Sequence, residues 1–295
     1  VDRRPPGVAR FKARTTPSVG DSMPRRRTRG EPKPSMKILF IGDVIGRPGR
    51  RAIENWIETL KQERNVDLVL ANAENVASGF GLTTETAEQL FAAGIHVLTG
   101  GNHIFDKEEG HRIIDRDPRI VRPANFPPHT PGRGFGLYEV GDVTVGVLAV
   151  VGRKFMPPVD CPFRTLDAIL ESLRDRTSVV IVDFHAKATE EKLALGWYLD
   201  GRVSAVVGSH THVATADEQI LPQGTAYITE VGMTGPYDSV NGVQKEIALQ
   251  RILGRLPVRP LLAEGNVTLS AVLIDVDPIT GRATGIERIQ KNGDF

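Results

Sequence analysis

KILFIGD, residues 37–43, is a short apolar run closed by a glycine and then an acid. Ile38–Ile41 leave no polar face, which reads as a strand buried in a sheet. The same pattern recurs along the chain. DLVLANAEN (67–75) ends on Glu74 and Asn75, and IHVLTGGNH (95–103) ends on Asn102 and His103. SVVIVDFH (178–185) ends on His185, and VSAVVGSHTH (203–212) ends on His210 and His212. Five buried strands thus each deliver a metal-ligand residue type at the carboxyl end, which is where sites form in sheets with parallel strands. Any one of these residues alone reads as a turn, a cap or a satisfied polar group. The ordered series does not.

The donors restrict the chemistry. Carboxylates (Asp43, Glu74), amides (Asn75, Asn102) and imidazoles (His185, His210, His212) suit Mn, Fe, Co, Ni or Zn. The chain has one cysteine, Cys161, so thiolate clusters and intramolecular disulfides are excluded. These are too many donors for one tetrahedral ion and suit two ions about 3.5–4 Å apart. Two divalent ions outweigh the charges of Asp43, Glu74 and a bridging hydroxide, so the site would attract a phosphate oxygen.

Outward from these strands the chain alternates. Pro48 opens a helix through about Arg64, and Thr83 or Thr84 caps another through Ala93 with Gly94 as its stop. Gly136–Val140 and Val143–Val151 are joined by Gly141-Asp142 as a hairpin. Arg164–Asp175 and Glu190–Leu199 read as helices. Gln219–Leu221, Ala226–Thr229 and Val267–Val276 read as strands, with a return strand over Ala283–Ile289. The expected fold is α/β (α+β): two stacked mixed β-sheets flanked by helices. Residues 36–295 contain no linker and are read as a single domain.

Residues 1–35 differ in character. They hold ten Lys or Arg against three acids, so the stretch is +7 in a chain of net charge +1 and the rest is −6. The stretch is rich in Pro, Arg, Ser and Thr, and is expected to be a disordered basic extension. An acidic body is not the footprint of a nucleic-acid binder, so nucleic-acid contact is expected only through this arm. No apolar run approaches a membrane span, and the expected location is the cytoplasm.

The series Gly42-Asp43, Glu74-Asn75, Gly101-Asn102-His103, His185 and Ser209-His210-Thr211-His212 resembles the calcineurin-like metallophosphoesterase superfamily. Two departures stand out: Ile45 replaces the superfamily's second opening ligand, and Glu74 stands where an aspartate usually bridges. Both match the YmdB-like phosphodiesterase branch, as do GDVIGRPGR, NAENVASGFG, GGNHIFD, HTHVATAD and EVGMTGP. The resemblance covers about Met36 to Gln290 and implies a four-layer metallophosphoesterase sandwich. It implies that Asp43, Glu74, Asn75 and His212 hold a first metal, and that Glu74, Asn102, His185 and His210 hold a second. It also implies that Asn75 fills the gap left at Ile45 and that His103 is the proton donor. It further implies iron as the metal, cyclic-nucleotide phosphodiesters as substrates and a homo-oligomer.

The expected activity is hydrolysis of 2′,3′-cyclic or 3′,5′-cyclic nucleotides through in-line attack of a metal-bridging hydroxide, with His103 protonating the leaving oxygen. A phosphomonoesterase or protein phosphatase would share the metal core. A metal-stabilised regulatory or RNA-binding protein is the alternative from another class. Phe80, between Gly79 and Gly81, and the loop with Met233 and Thr234 are candidate substrate contacts. Asp106, soon after His103, is read either as orienting the His103 ring or, more simply, as capping the helix that starts near Lys107.

Overall fold

The computed structural model describes residues 9–11, 35–255 and 257–294. In chain order the elements are β1 (Ala9–Phe11), β2 (Met36–Ile41), α1 (Gly46–Arg64), β3 (Leu68–Asn72), α2 (Thr84–Ala92), β4 (Val97–Thr99), α3 (Glu108–Arg116) and β5 (Ile120–Val121). There follow β6 (Phe135–Val140), β7 (Val143–Val151), α4 (Pro162–Leu173), β8 (Val179–His185), α5 (Thr189–Leu199), β9 (Ala205–Ser209), β10 (Gln219–Ile220) and β11 (Ala226–Ile228). The chain ends with β12 (Gly235–Pro236), α6 (Lys245–Gly254), β13 (Val267–Val276) and β14 (Ala283–Gly293).

These strands form two mixed sheets. One runs β1-β6-β7-β8-β9-β11-β10. The other runs β13-β2-β3-β4-β5, with β14 on the outer edge of β13 and β12 beside the start of β13. Pairing is parallel from β2 to β5 and from β7 through β9 to β11.

The period of two in each strand builds the layers. In β2, Ile38 and Phe40 face the other sheet and meet the side of Val147, Ile181 and Val207. Leu39 and Ile41 face outward with Val69 and Leu98, against Ile53, Ile57 and Leu60 of α1 and Leu90 of α2. On the far side, Leu148, Val182 and Val206 pack under Leu166 of α4 and Leu195 and Leu199 of α5. The order is helix, sheet, sheet, helix, so strands buried on both faces carry the continuous apolar runs seen in the sequence. Truncating a core residue such as Ile57 to Ala costs about 2–5 kcal/mol.

The local signals act as expected in several places. Thr83 caps α2 through a reciprocal box with Thr86. Gly141 takes φ +60 in the tight turn of the β6–β7 hairpin. Of the basic stretch expected to be disordered, Ala9–Phe11 pair in parallel with Tyr138–Val140 of β6. The Phe11 ring stacks on Tyr138 with centroids 5.9 Å apart. Residues 1–8 and 12–34 lie outside the described residues, so the expectation for them has no structural counterpart. Among the described residues, no helix is long and apolar enough to cross a membrane.

Candidate metal centre

The carboxyl ends of β2, β3, β4, β8 and β9 converge between the sheets. Asp43 follows β2 by two residues and is fully buried. Its Oδ2 accepts the backbone N–H of His210 at 3.1 Å. Gly42 allows the approach, because a Cβ there would stand 1.8 Å from the Gly232 carbonyl oxygen. Glu74 follows β3. Its Oε2 accepts the N–H of His103 at 2.8 Å, and its Oε1 lies 2.9 Å from His185 Nε2. Gly101 makes room for this meeting, since a Cβ would come 2.3 Å from the His185 ring and 2.4 Å from Glu74 Oε2.

The histidines are aimed by their neighbours. His185 ends β8, with Nδ1 2.9 Å from Ser209 Oγ. Ser209 Oγ donates to Asp183 Oδ1 at 2.6 Å, so its oxygen is placed to accept a hydrogen bond from His185 Nδ1, which turns Nε2 towards Glu74 Oε1. Asp183 also receives Asn72 Nδ2 at 2.9 Å and Thr99 Oγ1 at 2.5 Å. Asn72 in turn accepts the Glu74 N–H at 3.1 Å, so one buried carboxylate ties the ends of β3, β4, β8 and β9.

His210 and His212 both sit in the left-handed region, at φ +103 and +67. That backbone is costly for residues with a Cβ and persists only where the surroundings enforce it. Here Glu230 does so. Its Oε2 accepts Thr211 N at 2.9 Å and Thr211 Oγ1 at 2.8 Å, and its Oε1 accepts Gly232 N at 3.3 Å. Lys192 Nζ donates to the same Oε2 at 2.6 Å and to Ser209 O at 2.8 Å. His212 Nδ1 lies 3.3 Å from the Asn241 carbonyl oxygen.

Three oxygens in this cluster are buried and have no hydrogen-bond partner among the described residues: Asp43 Oδ1, Asn75 Oδ1 and Asn102 Oδ1. Asn75 is oriented by donating Nδ2 to Gly79 O at 3.0 Å, so the bare oxygen is held in place. Buried polar atoms are paired in nearly all native structures, and buried acceptors without a donor fit a cation. Glu74, His185 and His210 offer ligand atoms within 4.8 Å of one another. The electrostatics agree. Burial pushes Asp43 up to about 8, with Glu230 and Glu74 adding to it against His185. Burial would also raise Glu74, but the charge and hydrogen bond of His185 hold it at about 2. His185 resists its burial and rises to about 9 because Glu74, Asp43 and Asp183 surround it. Three buried carboxylates around one imidazole call for further positive charge, so the residues present fit a metal.

A cavity of about 120 Å³ opens at this cluster, lined by Glu74, Asn75, Phe80, His103, His210 and His212 among others. His103 Nδ1 contacts Asp106 Oδ2 at 2.7 Å, and its ring meets the Phe80 ring edge at 5.3 Å. Asp106 therefore orients His103. It does not cap α3, whose N-cap is Lys107 with no side-chain cap. Met233 and Thr234 do not line this opening. Both are buried, and Thr234 is engaged with Asp43 O and Ser270 O instead. The sequence alone does not single out Asp183, Lys192 and Glu230, or the Ser209 hydroxyl, as supports of the site. Lys192 carries a readable signal, since it shares the apolar face of Leu195 and Leu199, where a lysine needs a buried partner.

A helix–sheet–sheet–helix sandwich with carboxylate, amide and imidazole donors at convergent strand ends defines a metallophosphoesterase-class phosphoric ester hydrolase. The chain belongs to the YmdB-like protein family, whose model matches residues 39–289. It is 49% identical over 259 residues to the 2′,3′-cyclic-nucleotide 2′-phosphodiesterase of Bacillus subtilis (strain 168), covering 88% of this chain and 98% of that protein. Among solved structures, a hypothetical protein from Thermus thermophilus superposes with TM-score 0.83 at 42% identity, covering 87% of this chain and 99% of that one. A novel phosphatase from Mycoplasma pneumoniae matches with TM-score 0.83 at 34% identity, covering 88% and 94%.

Proposed function

We propose that the protein is a dinuclear-metal phosphodiesterase that opens 2′,3′-cyclic nucleotides. The observation that carries this reading is the group of ligand atoms on Glu74, His185 and His210 within 4.8 Å of one another, together with the buried, unpaired oxygens of Asp43, Asn75 and Asn102. The substrate class is supported by the name of the Bacillus subtilis relative, similar over 98% of its length. Asp43, Glu74, Asn75 and His212 would hold one ion, and Glu74, Asn102, His185 and His210 the other. Bound divalent ions supply positive charge to phosphoryl oxygens and lower the pKa of water. Iron is the proposed metal, and manganese fits the same donors.

The chain's own residues do the rest. Glu74 is fixed by His103 N–H and Asn72, so its carboxylate keeps one orientation. His103 hands a proton to the departing O2′ from the nitrogen that Asp106 does not hold. In balance, a water oxygen bonds to phosphorus, the P–O2′ bond breaks, and O2′ leaves as a hydroxyl beside a 3′-phosphate. Protein loaded with iron or manganese should therefore convert 2′,3′-cyclic AMP to the 3′-monophosphate, faster than 3′,5′-cyclic AMP or a monoester. Release of phosphate from monoesters alone, or no turnover with either metal, would sink this reading.

A further inference from the structure

The cavity at the metal cluster holds about 120 Å³, whereas pockets that enclose a small ligand run to about 300–1,000 Å³. The cavity is too small to enclose a whole nucleotide, so part of any nucleotide held there must continue outside. A groove of about 860 Å³ adjoins it, and the two share Asn241, Val243 and Pro260 as walls. The groove is bounded by α6 and the segment after it. Arg251, Arg255 and Arg259 line it, and no acid does. Among the described residues none of the three arginines has an acidic partner within 4.0 Å. Val240, Ile252 and Val258 are among its apolar lining residues.

A cyclic mononucleotide carries one phosphate, which belongs at the metal cluster, and offers nothing anionic to three further guanidiniums. Arginine is suited to phosphate oxygens through its planar fork of donors, and a positively charged groove tracks the backbone of a single-stranded nucleic acid. We infer that the groove binds the chain of an oligoribonucleotide whose 3′ end carries the 2′,3′-cyclic phosphate, with Arg251, Arg255 and Arg259 on the phosphates upstream of that end. The inference rests on the phosphodiesterase reading above. The −6 charge of the chain outside residues 1–35 is consistent with a local contact of this kind rather than general nucleic-acid binding.

The test compares a tetraribonucleotide ending in a 2′,3′-cyclic phosphate with the cyclic mononucleotide, both on metal-loaded full-length protein. The tetranucleotide should show kcat/KM at least tenfold higher at about 50 mM salt. Three contacts to a single strand should shrink that preference roughly 10–20-fold by about 200 mM salt. The R251Q/R255Q/R259Q variant should bring the ratio near unity. A second measurement needs no turnover: the tetranucleotide ending in a 3′-phosphate should bind the protein and lose affinity in the triple variant. Equal kcat/KM for the two substrates, with the mononucleotide still cleaved, overturns the groove and spares the phosphodiesterase reading. Failure to cleave either substrate, with the 3′-phosphate oligonucleotide still bound, overturns the phosphodiesterase reading and leaves the groove. A triple variant that keeps its preference but changes oligomeric state assigns this face to a second copy of the chain, against the inference.

Discussion

Lys192 and Glu230 form a buried ion pair 2.6 Å long, and the same carboxylate oxygen receives both donors of Thr211 between the two site histidines. Lys192 also donates to Ser209 O, so both ends of the turn lean on one charge pair. Removing one partner strands a buried charge. Glu230→Gln should lose about 3–5 kcal/mol of stability in urea unfolding. Its affinity for manganese, read by calorimetry, should fall roughly 10–100-fold, because the partners that orient ligands matter nearly as much as the ligands. A Glu230→Gln protein with both quantities unchanged would show that the turn holds itself.

His103 should act through its proton rather than through the metals. An alkoxide leaving group needs a proton as the bond breaks, and a nitrophenolate needs almost none. His103→Ala should keep its metal content, lose about 10²–10⁴-fold in rate on the cyclic nucleotide, and lose far less on a nitrophenyl phosphodiester. Asp106→Asn should fall between the variant and the native protein on the first substrate only. Equal losses on both substrates would make His103 a positioning residue.

His96 gives a pH effect independent of the site. Burial, with the charge of Lys61 adding to it, lowers His96 from 6.5 to about 4. Its Nδ1 accepts the Val69 N–H at 2.9 Å, which requires the neutral ring. A depressed folded pKa means that the unfolded chain takes up the proton first. This contribution is therefore complete above about pH 6.5 and is lost as pH falls towards 4. The loss is on the order of 3 kcal/mol from two to three pKa units. Denaturant unfolding across that range should be less pH-dependent in His96→Gln than in the native protein. Identical slopes would contradict the assignment.

The basic stretch carries a modest structural load. Phe11 is half-buried on Tyr138 and also meets His96, at 5.0 Å between ring centroids. A chain starting at Met36 should lose roughly 1–2 kcal/mol, the share of a partly buried phenylalanine. Its rate on cyclic nucleotides should be unchanged. Loss of catalytic rate on truncation would place this stretch in the function of the site.

The sequence made the ligand series legible because each donor follows an apolar run, and the sheet then brings the ends of those runs together. The expectation of strands near Lys37–Ile41 and Val267–Val276 and of a helix through Arg64 matches β2, β13 and α1. What escaped notice has physical reasons. In α6 only Ala248 is buried, so the helix shows no apolar stripe facing a core. β12 is a Gly-Pro pair and β5 only two residues long, too short for any period to show. Glu230 and Asp183 act across distances in sequence that no local pattern reports. Of the two roles the sequence offers Asp106, the fold takes the contact with His103 and not the cap of α3, because local spacing allows both and only the tertiary placement decides.

The central claim is that the donors at the strand ends hold two metal ions bridged by Glu74. Anomalous diffraction from crystals soaked in manganese tests it most directly. The account predicts two peaks about 3.5–4 Å apart on either side of Glu74. One peak should lie against Asp43, Asn75 and His212, and the other against Asn102, His185 and His210. A single peak away from Glu74, or none within reach of Asp43, Asn75 and Asn102, would contradict it.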